Sequence, residues 1–218
     1  MDNGKTDASM NLLAIECSQP QASLCLSQHG VITSETSWCA ERNHDAHLFP
    51  ALEKALAELG STPLDYILVG AGPGSYGGVR VALAAAVGIA TVRNARVVAV
   101  DSWAQLATPG TAVISDARRG GWTMRRPDGT IEVLTPAELA AEAEAGTPLY
   151  TIESKESMLR AGIQAEKYNL TPTAVGLVYT WQELSEERRN ELANRPAEPI
   201  YVRPPHITEA KHKPWEIQ

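Results

Sequence analysis

The sequence is short of aromatic residues, of cysteine and of positive charge, and each shortage removes a class of reading. Aromatics make up 6% of the 218 residues, with one Phe beside five Trp, so the core has to rest on Leu, Val, Ile, Ala and the tryptophans. The three cysteines, Cys17, Cys25 and Cys39, show no Cys-x-x-Cys or Cys/His metal spacing. Their odd number predicts free thiols in a reducing compartment. The formal charge of −7 leaves no basic stripe of the kind a free-standing nucleic-acid binder carries. Any contact with RNA is therefore expected through a partner, and an acidic body suits docking on a basic protein surface. The first nine residues, MDNGKTDAS, lack the apolar stretch of a secretory signal and read as a leader or tag before Met10. The longest apolar run, Val81–Val92, is too short and too alanine-rich to span a membrane. A soluble, cytoplasmic protein is expected.

What is present is an ordinary globular composition, 44% apolar and 21% charged, in a chain long enough for one ample core or two small lobes. Leu12–Ile15, Ala22–Gln28 and Val31–Trp38 read as strands, the last two joined by a tight turn at His29-Gly30. A helix is predicted from Asn43 to Leu59, with Leu48, Phe49, Leu52, Leu56 and Leu59 on one stripe and Gly60 ending it. Then come a strand at Tyr66–Val69, a glycine-rich turn, a helix at Gly78–Val92, a strand at Arg96–Val100, and a short helix to Leu106 capped by Ser102. Beyond Pro109-Gly110 a second set begins with a strand at Ala112–Ser115. A hairpin, Trp122–Arg126 and Ile131–Leu134, follows around Pro127-Asp128-Gly129. Thr135-Pro136-Ala137-Glu138 is a capping box, and helices are expected at Ala137–Ala145 and Thr173–Asn194. The expected division is a disordered leader at 1–10, an N-terminal α/β lobe at 11–106, a smaller C-terminal α/β lobe at 107–205 and a flexible tail at 206–218.

The chemistry centres on Gly70–Arg80, reading GAGPGSYGGVR. Gly70, Gly72, Gly74, Gly77 and Gly78 permit a tight turn, and Pro73 stiffens it. The first N–H groups of the following helix, flanked by Arg80, would suit an anion. The plain alternative is that the glycines only allow close helix–sheet packing. Gly72 and Gly77 have Walker A spacing, but Gly78-Val79 replaces the required Lys-Ser/Thr. Gly72-Pro-Gly74-Ser-Tyr-Gly77 fits a dinucleotide fingerprint formally, with Asp101 in the place of the ribose-binding acid. Against it, the turn follows a β-meander and a helix instead of opening the fold. The helix after it, with Ala82, Ala84, Ala85, Ala86, Gly88 and Ala90, is apolar nearly all round and must be buried in the core or against a partner.

Glu16, just before Ser18, could hold a metal as in two-lobed phosphotransferases, but a lone strand-end Glu reads more simply as a surface or turn residue. His44 and His47 flank Asp45 without a third ligand in reach, so capping and surface roles are expected and no metal is assigned. Asp116-Ala117-Arg118-Arg119 either positions a substrate or forms a salt-bridged turn. No G-x-S-x-G or H-E-x-x-H motif is present and no base stands near Ser75, so no catalytic residue is assigned.

The motifs together resemble the TsaB (YeaZ) family, which serves threonylcarbamoyladenosine modification of tRNA in bacteria. Gly70–Arg80 is similar to its G-x-G-P-G-S-[FY]-T-G-[LV]-R, with Gly77 for the usual Thr. Leu12–Ser18 is similar to ILAIDTS, with Glu16 for Asp and Cys17 for Thr. Arg42-Asn43-His44 followed by Leu48-Phe49-Pro50, Asp116-Ala117-Arg118-Arg119 and Pro199–Arg203 resemble further family segments. The resemblance spans about 11–203 and is densest at 11–105. It implies a degenerate two-lobed actin-like ATPase (ASKHA, ribonuclease H-like) fold. It implies a non-catalytic scaffold supporting the catalytic subunit TsaD, with the ATPase TsaE joining and tRNA reached through the complex. The product would be threonylcarbamoylated N6 of adenosine 37 in tRNAs reading ANN codons. It places the partner face on the two N-terminal helices, at Leu48, Leu52, Ala55, Leu59, Ala82, Ala85 and Ile89, with homodimerisation through the same face when the chain is alone. No cofactor of its own is implied, with ATP or ADP at the joint surface. The rival is a nucleotide-dependent small-molecule phosphotransferase working through Glu16 and the glycine-rich turn.

Overall fold

Residues 10–40 and 43–202 are described by a computed structural model. The leader at 1–9, Arg42, Arg203 and the tail lie outside the described residues.

The first sheet has the order β3-β2-β1-β4-β5, built from β1 (Leu12–Glu16), β2 (Gln21–Gln28), β3 (Val31–Cys39), β4 (Tyr66–Gly70) and β5 (Arg96–Val100). β1–β3 form an antiparallel meander, while β4 and β5 join parallel. His29 and Gly30, both at positive φ, make the two-residue turn between β2 and β3, the geometry whose twist suits a hairpin. β1 is buried throughout because both faces of the sheet are covered. Leu13 and Ile15 meet α1 (Asp45–Leu59) and α2 (Tyr76–Arg93) on one face. Leu12 and Ala14 meet Ala174, Leu177, Val178 and Trp181 of α5 (Ala174–Glu183) on the other.

The second sheet has the order β8-β7-β6-β9, from β6 (Ala112–Asp116), β7 (Trp122–Arg125), β8 (Ile131–Leu134) and β9 (Leu149–Thr151). Its pairing repeats that of the first four strands of the first sheet: two antiparallel neighbours on one side of β6 and a parallel one on the other. Ile114, Met124, Leu139, Leu149 and Met158 fill its core with α3 (Pro136–Glu144) and α4 (Lys155–Arg160). The capping box at Thr135 and Glu138 is formed in full.

Three sequence expectations need correction. The helix expected at 173–194 is two, α5 and α6 (Glu186–Ala193), divided where Ser185 caps α6 by accepting from the Arg188 N–H. α5 covers the first sheet and α6 lies against β5, so these helices belong with the N-terminal lobe and not with a lobe running 107–205. Ser102 does not cap the short 3-10 turn at Ala104–Leu106; its Oγ accepts from Gly72 N at 3.1 Å. Of the two expectations for α2, enclosure in the chain's own core is met on one side only. Val79, Ala82, Leu83 and Ala86 are buried, whereas Ala84, Val87, Gly88, Thr91 and Val92 are exposed. It is the single helix among the described residues long and apolar enough to cross a membrane by length and composition, and its inner face is part of the N-terminal core.

Candidate functional site in the inter-lobe cleft

A cleft of about 880 Å³ lies between the two sheets. One wall is the end of β1 and the glycine-rich turn, with Ser18, His44, Gly74, Ser75 and Tyr76. The opposite wall carries Ser115, Asp116, Arg118, Thr123 and Glu153, and Pro199–Val202 run along the rim. Sequence-predicted positions from both lobes therefore meet here.

The turn is shaped by contact with β1. The Ser75 N–H donates to Ser18 O at 2.7 Å. A Cβ added to Gly70, Gly74 or Gly78 would stand 2.0 Å from Glu16 Oε2, Ser18 O or Cys17 O respectively. These glycines are thus committed to close packing. Gly72 has φ +97° and exchanges bonds with Ser102, its N–H to the hydroxyl and its carbonyl from the Ser102 N–H at 2.9 Å. Gly77 differs: a Cβ there would meet nothing within 4 Å. Ser75 caps α2, its Oγ accepting from Gly78 N at 3.2 Å. Arg80 does not face the cleft; it lies over the Tyr76 ring, 5.0 Å from the centroid, and donates to the Tyr76 hydroxyl.

Glu16 is fully buried, not a surface residue as a lone strand-end carboxylate suggests. Its Oε1 accepts from Ser18 N at 2.7 Å, and Oε2 has no partner among the described residues. Burial pushes its pKa up; neighbouring Ser18 and Ser102 pull it back, and the Asp101 charge adds to the rise. Asp101 is itself raised by burial and lowered by Arg125. It bridges the lobes to Arg125 of β7 and accepts from Trp103 N at 2.8 Å, which removes it from the ribose-binding role a dinucleotide site would require.

His44 is buried at 6% exposure, with Nδ1 unpartnered, and is not the surface group expected. Its backbone carbonyl, not its ring, starts α1 by accepting from Leu48 N at 2.8 Å. Burial and the neighbouring His47 lower its pKa, against a smaller opposing pull from Asp45. His47 is exposed. Among the described residues no group of three His, Cys, Asp or Glu side chains comes together as a metal site.

On the opposite wall, Asp116 Oδ1 accepts from Arg118 N at 2.7 Å. This copies the bond between Glu16 and Ser18, as the matching positions of β1 and β6 dictate. Glu153 was not legible as a site residue: it follows a three-residue strand, and no motif marks it. Its Oε1 accepts from Ser115 Oγ at 2.8 Å and Asp116 N at 3.1 Å, tying β9 to β6 at the cleft. Arg118 and Arg119 both take positive φ in the loop between β6 and β7.

The expected partner-face residues divide. Leu48, Leu52, Ala55, Leu59 and Ala82 are in the chain's own core, while Ala85 and Ile89 are half-buried on its margin. The helices run side by side. His44 lies 3.2 Å from where a Cβ on Gly78 would stand, and Arg93 donates to Gly60 O at 2.6 Å at the far end.

The family model described as "TsaD: tRNA N6-adenosine threonylcarbamoyltransferase" matches residues 20–145. The chain belongs to this family. Within the family, it is 32% identical over 119 residues to the tRNA threonylcarbamoyladenosine biosynthesis protein TsaB of Bacillus subtilis (strain 168), covering 51% of this chain and 52% of that relative. The chain thus spans about half the length of the curated relative it matches. Two Pseudomonas aeruginosa structures share the fold. One, described as similar to peptidase YEAZ, has a TM-score of 0.70 at 24% identity, over 89% of this chain and 100% of that one. The other, YeaZ, has a TM-score of 0.67 at 24% identity, over 88% and 99%. The two-sheet α/β architecture is accordingly that of the family's ASKHA-type structures, and the glycine-rich turn read as the family motif forms one wall of its cleft.

Proposed function

We propose that the chain is a non-catalytic scaffold subunit of the tRNA threonylcarbamoyl transferase, supporting TsaD in modifying N6 of adenosine 37 in tRNAs that read ANN codons. The observation that carries this reading is the outer side of α2. On α1 the exposed side is largely charged, but α2 leaves Val87 and Val92 more than half exposed beside the small residues Ala84 and Gly88. An apolar surface of this kind marks a protein contact, and small residues let another helix approach closely. The cleft supports the same reading from the other side, since Gly70, Gly74 and Gly78 are committed to packing against β1 and Glu16 is fully buried behind the turn. In this reading TsaE and tRNA join through the complex, ADP or ATP binds at the joint surface, and the isolated chain self-associates through the same face.

The test is co-purification with TsaD from the same cell. Val87→Glu and Ala84→Glu, both on exposed positions, are expected to abolish the complex while leaving the circular dichroism spectrum unchanged. A complex that survives both variants refutes the interface. Titration of the isolated chain with ATP-Mg separates the rival: tight binding lost in Glu16→Gln would establish a phosphotransferase site instead.

A further inference from the structure

Pro199–Val202 lie across the glycine-rich turn with few ties. Ile200 N donates to Ala71 O at 2.8 Å, and the Ile200 carbonyl sits 3.5 Å from where a Cβ on Gly72 would stand. Tyr201 rests on Tyr76, ring centroids 5.2 Å apart and tilted by 31°. All four residues line the cleft, yet none is buried, and Tyr201 is 48% exposed. Tyr76 is the first residue of α2 and is itself exposed on that helix, with the Arg80 guanidinium over its ring. The segment's side-chain anchor is therefore a residue at the edge of the proposed partner face.

We propose that Pro199–Val202 form a displaceable strap over the cleft, anchored by the ring of Tyr76, so that a subunit seated on α2 releases the strap and opens the cleft. The coupling rests on the scaffold reading; the strap itself does not. Among the described residues the two states differ in one ring stack, the hydroxyl interaction of Tyr201 with Tyr76 and one backbone hydrogen bond, and contacts so few leave them close in free energy, as a switch biased by a partner requires.

Access to the cleft is read by the rate at which a maleimide labels Thr123→Cys, a cleft-lining position, in a Cys39→Ser background that removes the exposed native thiol. Cys17 and Cys25 are buried, and burial holds their thiols protonated. Adding Tyr201→Ala is expected to speed labelling roughly fivefold, while Tyr201→Phe, which keeps the ring and loses only the hydroxyl interaction with Tyr76, labels closer to the parent rate than to the Tyr201→Ala rate. Equal rates in all three proteins overturn the strap, and a fast Tyr201→Phe overturns its anchoring by ring contact. With TsaD added, labelling of the intact strap is expected to rise toward the Tyr201→Ala rate. If TsaD co-elutes but the rate stays fixed, the coupling is wrong. If TsaD does not co-elute, the scaffold reading fails while the comparison of Tyr201 variants still decides the strap.

Discussion

Two adjacent glycines at the start of α2 should respond in opposite directions to the same substitution. Gly77 and Gly78 occupy the second and third helical positions. At Gly77 an added Cβ meets nothing within 4 Å, whereas at Gly78 it stands 2.0 Å from the Cys17 carbonyl oxygen. Gly77→Ala changes only backbone freedom and helix propensity, and a gain of about 0.5 kcal/mol is expected. Gly78→Ala gains the same but must drive two backbone segments apart by about 1 Å to reach the closest approach that real Cβ atoms tolerate. That movement strains the bond from Ser75 N to Ser18 O and lifts Val79 from the core. Overpacking costs about 1–3 kcal/mol and the weakened hydrogen bond about 1 kcal/mol, for a net loss of about 1.5–3.5 kcal/mol, centred near 2.5. Thermal unfolding followed at 222 nm should place Gly78→Ala roughly 4–10 °C below the parent and Gly77→Ala roughly 1–2 °C above it. If the two variants unfold within 0.5 kcal/mol of each other in urea, the turn is not held by contact with β1, and its glycines serve something other than packing.

Replacing Glu16 by Gln tests its buried proton. The folded pKa is raised, so the stability this group contributes is greatest below the unfolded carboxyl pKa and declines as pH rises through the folded value, by up to about 1.4 kcal/mol per pH unit. In urea unfolding from pH 4.5 to 8, Glu16→Gln should flatten that decline and be the more stable protein at the alkaline end; a parallel pH profile would show that Glu16 stays ionised. Arg125→Ala leaves the Asp101 carboxylate buried without its cation and should lose about 3 kcal/mol at pH 7. The deficit should shrink toward pH 4.5, as protonated Asp101 needs no partner, and adding Asp101→Asn should recover most of it; a deficit independent of pH would contradict the pairing. Arg119, at φ 53° in the loop between β6 and β7, should give way to Gly with a gain of about 1 kcal/mol, read as a raised urea midpoint.

The sequence was most legible where one residue type answers one geometric demand. Glycine at close backbone approach, the Thr-Pro-x-Glu cap of α3 and the Pro-Asp-Gly turn between β7 and β8 each have a local cause, and each lies where it was expected. The position of α5 was not legible. Its stripe of Ala174, Leu177, Val178 and Trp181 requires some apolar cover, but nothing local distinguishes the second sheet from the first, more than seventy residues back in the chain. Glu16 misleads for a related reason. In a sheet covered on both faces, a polar residue at the end of a strand can be as buried as its apolar neighbours, and only the contact with Gly70 reveals it.

The partner face shows how the same pattern can be read one step too far. The spacing of Leu48, Leu52, Ala55 and Leu59 identifies the face of α1 that leaves water, and the first sheet is what it meets. A stripe satisfied within the chain has nothing left to offer another protein. The informative feature is the departure from amphipathicity in α2, where Ala84, Val87, Gly88 and Val92 stand on the side that should be polar. A helix needs only one apolar face to dock on its own sheet. The second apolar face has no use within the described fold, and its exposed members are therefore the positions at which a single charge should separate binding from folding.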